Sequence, residues 1–90
     1  MKPEQNMLGR LLTLKKMIKA GKYNDCVALT IKLRYDLAKF SDVSLRDKIK
    51  DNILAIENMI GQKKTKEDIM KDLDKEAKLL ISILLKSGIK

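Results

Sequence analysis

The sequence predicts an all-α protein, an antiparallel bundle of four helices in a single domain spanning residues 1–90. Apolar side chains recur at spacings of three and four residues in four segments, the period of a helix with one buried face. The chain has one proline and four glycines, too few for a loop-rich fold. The segments are joined by short connections, which makes successive helices antiparallel neighbours.

The first helix is predicted over about residues 3–20, and the second over about 23–40. Pro3 suits a first turn, where its missing N–H needs no partner, and Gly21 suits the position just after a helix. One apolar row of the second helix is Cys26, Leu29, Leu33, Leu37 and Phe40. A second apolar row is Tyr23, Val27, Ile31 and Ala38. Two such rows predict that the second helix is the most buried of the four.

The third helix is predicted over about residues 45–60, and the fourth over about 66–86. Ser44 and Thr65 are each followed three residues later by an aspartate, which is typical of a capped helix start. The apolar stripe of the third helix is Leu45, Ile49, Ile53, Ile56 and Ile60. The stripe of the fourth is Ile69, Leu73, Ala77, Leu80 and Leu84.

Side chains that carry most enzymatic and metal chemistry are scarce in this sequence. There is no histidine and one cysteine, which excludes catalytic triads, Cys–His pairs and structural zinc sites. No glycine-rich phosphate-binding motif occurs either. Asp68, Asp72 and Glu76 could form a carboxylate row for a hard cation, but the lysines between them favour ordinary surface ion pairs. We therefore expect no enzymatic activity, cofactor or metal.

Several large apolar residues do not fit the predicted stripes and suggest association surfaces. On the third helix, Leu54 faces away from the isoleucine stripe. Leu8 and Leu12 point away from the main face of the first helix, towards Lys15 and Lys19, and form a candidate surface for an acidic partner. Residues 79–85 are apolar nearly all the way around the fourth helix. Candidate self-association residues there are Leu79, Ile83 and Leu85. Contiguous apolar patches usually mark association surfaces, so the primary hypothesis is protein–protein association, most simply as a homodimer.

The net charge of +8 suggests alternative partners. Its excess is concentrated at the ends of the chain, with +5 in residues 1–22 and +3 in residues 63–90. Nucleic acid is one alternative, through contacts to the phosphate backbone. The residues that could contact phosphates or an acidic partner are Arg10, Lys15, Lys16, Lys19, Lys22, Arg34, Lys63 and Lys64. A peripheral-membrane or immunity-type bundle, using the basic first helix at a lipid surface, is a second alternative.

Arg34 projects between the two apolar rows of the second helix. Its stem can pack on the helix while its head reaches water, or its head can bind a partner's carboxylate or phosphate. The first arrangement is favoured. The single cysteine and the absence of a recognisable signal peptide or membrane-spanning run lead us to expect a cytoplasmic protein.

Overall fold

A computed structural model describes residues 2–62 and 64–89, and within these ranges the chain is a bundle of four α-helices without a β-strand. The helices are α1 (Pro3–Lys19), α2 (Tyr23–Ala38), α3 (Val43–Ile60) and α4 (Lys66–Lys86). Each of α1 and α3 packs against both α2 and α4, so the helices form a closed ring around one core. The described part measures 35 × 21 × 19 Å. The predicted fold class is confirmed.

The ends of α1 and α4 are set by glycines in the left-handed conformation. Gly21 has φ 72°, and the N–H groups of Gly21 and Lys22 donate to the carbonyls of Ile18 and Met17. Gly88, with φ 85°, ends α4 in the same way. This arrangement pairs carbonyls that the helix itself leaves open, and it needs a residue without a Cβ atom.

The α2–α3 boundary differs from the prediction. The second helix ends at Ala38 and the third begins at Val43, so α2 is shorter than predicted and α3 starts earlier. The predicted cap Ser44 lies inside α3, and the side chain of Asp42 instead accepts from the Leu45 N–H at 3.0 Å. The other predicted cap is confirmed, because the Thr65 hydroxyl accepts from the Asp68 N–H at 3.1 Å.

The core lies along the axis of the ring and receives side chains from all four helices. The stripes of α3 and α4 supply it as predicted, except that Ile60 is only partly buried. The buried apolar residues are Met7, Leu8, Leu11, Leu14, Cys26, Leu33, Leu37, Phe40, Leu45, Ile49, Ile53, Ile56, Ile69, Leu73, Ala77, Leu80 and Leu84.

Two buried carboxylates connect α1 to its neighbours. Arg10 Nε of α1 lies 2.9 Å from Asp36 Oδ2 of α2. Glu4 Oε1 accepts from both the backbone N–H and the hydroxyl of Ser41, at 3.0 and 3.2 Å, in the connection between α2 and α3. These contacts hold α1 at a defined axial position relative to α2 and to the connection between α2 and α3, and their role is structural.

The length and hydropathy that a bilayer-crossing helix requires are not combined in any helix of the described ranges.

Candidate functional site

The surface predicted on α1 is only partly exposed. Leu8 is 6% exposed and belongs to the core, whereas Leu12 is 49% exposed. Placing Leu8 on the surface was wrong, because α1 is flanked by two helices and therefore buries a wider arc than one stripe. Lys15 is partly buried and Lys19 is exposed. Leu12 is thus the apolar residue that remains available beside these lysines.

The apolar run of residues 79–85 is covered mainly by its own bundle. Leu80 and Leu84 are fully buried, and Ile83 packs partly buried against the core. Leu79 and Leu85 remain 48% and 54% exposed. They are six residues apart, which places them about 120° apart around the helix. They therefore lie on different flanks of α4, and the predicted self-association set does not form one continuous patch.

Three large apolar side chains are also exposed along the crevice between α2 and α3. Ile31 and Tyr35 of α2 are 54% and 64% exposed, and Leu54 of α3 is 43% exposed. Two adjoining depressions of about 360 and 280 Å³ run along this crevice. We call this surface the α2–α3 face. Its two depressions are lined by Val27, Thr30, Ile31, Arg34, Tyr35, Leu37, Ala38, Arg46, Asp47, Lys50, Ile53, Leu54, Glu57 and Ile60.

Arg34 and Glu57 lie at the junction of the two depressions and line both of them. Their Nε and Oε1 atoms are 3.6 Å apart, longer than a hydrogen bond. The side chain of Arg34 is 70% exposed, so its head reaches water, as predicted. An exposed pair at this distance contributes little to stability. Its charges are therefore available to another molecule.

Sequence patterns missed the α2 side of this face because they assigned the second apolar row of α2 to the core. Ile31 and Ala38 of that row are exposed, and Tyr23 and Val27 are partly buried. Each helix in this ring of four helices contacts two neighbours, and these cover only part of its circumference. The signal that could have revealed the face is Tyr35 beside Arg34 at the edge of that row, since Tyr and Arg are enriched where proteins bind each other.

The predicted phosphate-contacting residues are dispersed. Arg10 is engaged with Asp36, Arg34 lies in the α2–α3 face, and Lys64 Nζ is 3.3 Å from Asp72 Oδ2. The exposed lysines at the end of α1 are Lys16, Lys19 and Lys22. Lys22 shares a surface depression with Lys66 at the start of α4. Lys63 lies outside the described residues.

The buried ionisable groups have shifted pKa values with identifiable causes. Burial raises the pKa of Asp36, and the nearby charges of Arg10 and Lys39 only partly offset this. Burial also acts to raise the pKa of Glu4, but hydrogen bonds, including those from Ser41, bring it below its ordinary value. These shifts belong to the contacts that hold α1, and neither carboxylate opens onto the α2–α3 face.

The remaining candidates for chemistry are isolated side chains. Cys26 is fully buried, and burial, followed by the charge of Asp25, raises the pKa of its thiol. A thiol of this kind is inert compared with a catalytic cysteine. Within residues 2–62 and 64–89 no three potential metal ligands converge.

No protein-family model, curated protein sequence or solved structure matches this chain significantly.

Proposed function

We propose that this chain is a non-enzymatic helical protein that acts by protein–protein association, and that it forms a homodimer through the α2–α3 face. The observation that carries this proposal is the exposure of Ile31, Tyr35 and Leu54 along a single crevice. A cytoplasmic location suits the one buried, unpaired thiol, Cys26.

The energetics favour a weak, reversible dimer. Complete burial of a large apolar side chain is worth about 1.5–3 kcal/mol. The three residues are about half exposed, so burying the rest yields roughly 1 kcal/mol each, or roughly 6 kcal/mol over two copies. This gain is comparable with the free energy lost when two molecules associate. We therefore expect a weak dimer, with a dissociation constant of roughly a millimolar or somewhat below.

The charges of the face fit a second copy of the same chain. A twofold interface places the same surface on both partners, so it must be complementary to itself. Arg34 and Glu57 supply one charge of each sign at the junction of the two depressions, and Arg46, Asp47 and Lys50 add charges of both signs in the second depression. Across a twofold axis, Arg34 and Glu57 can each face the opposite charge on the other copy. The net charge of +8 opposes dimerisation, and salt screens it, so the dimer should be tighter at physiological salt than at low salt.

Sedimentation equilibrium over a range of concentrations tests the proposal. Ile31→Lys should shift the chain to monomer, because it places a charge in the centre of the apolar contact. Leu79→Lys is the matched control, since Leu79 has similar exposure but lies on α4. Circular dichroism should show the same helix content for both variants.

Two results would overturn this assignment. A wild-type chain that stays monomeric up to roughly 1 mM would exclude a dimer of the expected strength. Dimerisation that is lost in Leu79→Lys but kept in Ile31→Lys would move the interface to the Leu79 and Ile83 side of α4.

Nucleic-acid binding is a second candidate function, favoured by the exposed lysines Lys16, Lys19 and Lys22 at the end of α1. Such binding would be directed to the phosphate backbone and strongly salt-dependent. Titration of a labelled duplex at low and at physiological salt tests it, and affinity that disappears at physiological salt argues against a specific role. The membrane alternative is less well supported, because the main apolar side of α1 is already packed inside the bundle.

A further inference from the structure

A second groove lies on the opposite side of the ring from the α2–α3 face, where the turn between α1 and α2 meets the first half of α4. It encloses about 750 Å³. We propose that it binds an acidic amphipathic helix of a partner protein, and we call it the basic groove. It is lined by Ile18, Gly21, Tyr23, Lys66, Glu67, Met70, Lys71, Asp74, Lys75 and Lys78.

The apolar part of the basic groove comes from three helices. Ile18 of α1, Tyr23 of α2 and Met70 of α4 line it, and each is partly buried against the core. Because these side chains are anchored in the bundle, the surface they present is formed before a partner arrives. Methionine adapts well to different side chains at binding surfaces. This part of the groove suits the apolar anchors of a docked helix.

The charged part of the groove is predominantly positive. Lys66, Lys71, Lys75 and Lys78 face two carboxylates, which leaves a net charge of +2. Lys66 Nζ lies 5.3 Å from the centre of the Tyr23 ring, and Lys78 Nζ lies 2.9 Å from Asp74 Oδ2. Lys71 and Lys75 are exposed, with no ion pair to a described carboxylate. Lys22 extends the positive surface next to Lys66.

This combination fits an acidic helix better than a nucleic acid. Leucines at every third or fourth position of a partner helix would fill the apolar part, while its glutamates would face Lys71 and Lys75. A phosphate backbone has no apolar side chains to bury against Ile18, Tyr23 and Met70, whereas an amphipathic helix does. Lys66 and Lys78 are 12 residues apart on α4, so the groove is about 18 Å long. That length accommodates about three turns of a partner helix.

A peptide-binding experiment tests the basic groove. The probe is a fluorescein-labelled peptide of about 14 residues, with leucines at positions i, i+3, i+4 and i+7 and glutamates at most others. Its comparison is a peptide of identical composition whose leucines are scrambled off one face. We expect fluorescence anisotropy to show about tenfold tighter binding of the amphipathic peptide, because only it buries its apolar side.

Variants with matched charge separate the groove from general electrostatics. Lys71→Glu with Lys75→Glu should weaken binding at least about tenfold. Lys32→Glu with Lys48→Glu changes the net charge equally, on exposed sites of α2 and α3 outside the groove, and should weaken it much less. Replacing Lys71 and Lys75 with arginine should preserve binding.

Three outcomes would overturn the proposal: equal affinity for the two peptides, equal losses in both glutamate pairs, or tighter binding of a duplex oligonucleotide that depends on Lys71 and Lys75. The last would identify a phosphate-binding surface instead. The peptide measurements are repeated in the Ile31→Lys background, which removes the proposed dimer interface. If the peptide still binds to this variant while dimerisation is absent, the basic groove functions independently of the proposed dimer.

Discussion

Leu8 and Leu12 lie one turn apart on α1, and shortening each to alanine should have very different effects. Leu8 is 6% exposed and packs in the core, whereas Leu12 is 49% exposed. Leu8→Ala should therefore cost about 2–5 kcal/mol, because it removes buried carbon atoms and leaves a cavity. Leu12→Ala should cost less than about 1 kcal/mol, since half of its side chain already contacts water and alanine favours the helix slightly.

Urea unfolding followed by circular dichroism measures both costs, and thermal melts give a second reading. A small domain loses about 4–8 °C in Tm per kcal/mol, so Leu8→Ala should melt at least about 8 °C below wild type. Leu12→Ala should lose less than about 8 °C, and always less than Leu8→Ala. All samples are compared at one low concentration, because self-association would raise the apparent stability. Costs that agree within about 0.5 kcal/mol, or a larger cost for Leu12→Ala, would refute the two-sided burial of α1.

The other predictions concern ionisation, thiol access and capping. The pKa of Glu4 is lowered in the folded protein, so the ionised carboxylate stabilises the fold. Wild type should therefore have a larger free energy of unfolding than Glu4→Gln above pH 4.5, and this difference should shrink as the pH falls below 4.5. The pKa of Asp36 is raised, so the free energy of unfolding of wild type relative to Asp36→Asn should increase as the pH falls towards 3.8. Urea unfolding at several pH values checks both predictions. Cys26 should react with a thiol reagent only as fast as the bundle opens, with denatured protein as the reference. Asp42→Ala should cost about 1 kcal/mol and Ser44→Ala less than about 0.5 kcal/mol, because the hydrogen bond comes from Asp42; equal costs would contradict that cap.

Two separate surfaces on one bundle suggest how a chain of this size could connect molecules. The α2–α3 face combines an apolar crevice with charges of both signs, which suits the proposed contact with a second copy of the chain. The basic groove is positive around an apolar interior, which suits an acidic partner. Because the two lie on opposite sides of the ring, a dimer would leave both of its basic grooves open.

The features that were predictable from sequence are those that depend on local spacing. The stripes from Leu45 to Ile56 and from Ile69 to Leu84 have the helical period, and the helices they predict are present. Thr65 and Gly21 were predictable for the same reason, since a cap or a left-handed stop depends on residues within one turn. The boundary at Asp42 was harder, because Asp42 and Ser44 are both good capping residues and their spacing does not select between them.

The burial of polar groups was not predictable from local pattern. Glu4 lies in the first turn of α1, where a negative charge favours the helix dipole, yet it also accepts hydrogen bonds from Ser41, 37 residues away. Asp36 is an acidic residue of α2 that lies buried beside Arg10 of α1. Such partners come together only when helices pack.

By itself, the amino-acid sequence determined that this chain is helical, that it has four helical segments, and that it contains no histidine and one cysteine. Helical spacing is a short-range property, and composition requires no structure at all. Only the tertiary structure decided which apolar residues were left over, burying Leu8 while exposing Ile31 and Tyr35. The helices of this chain carry more than one apolar row, and the positions of the neighbouring helices decide which rows remain exposed to water.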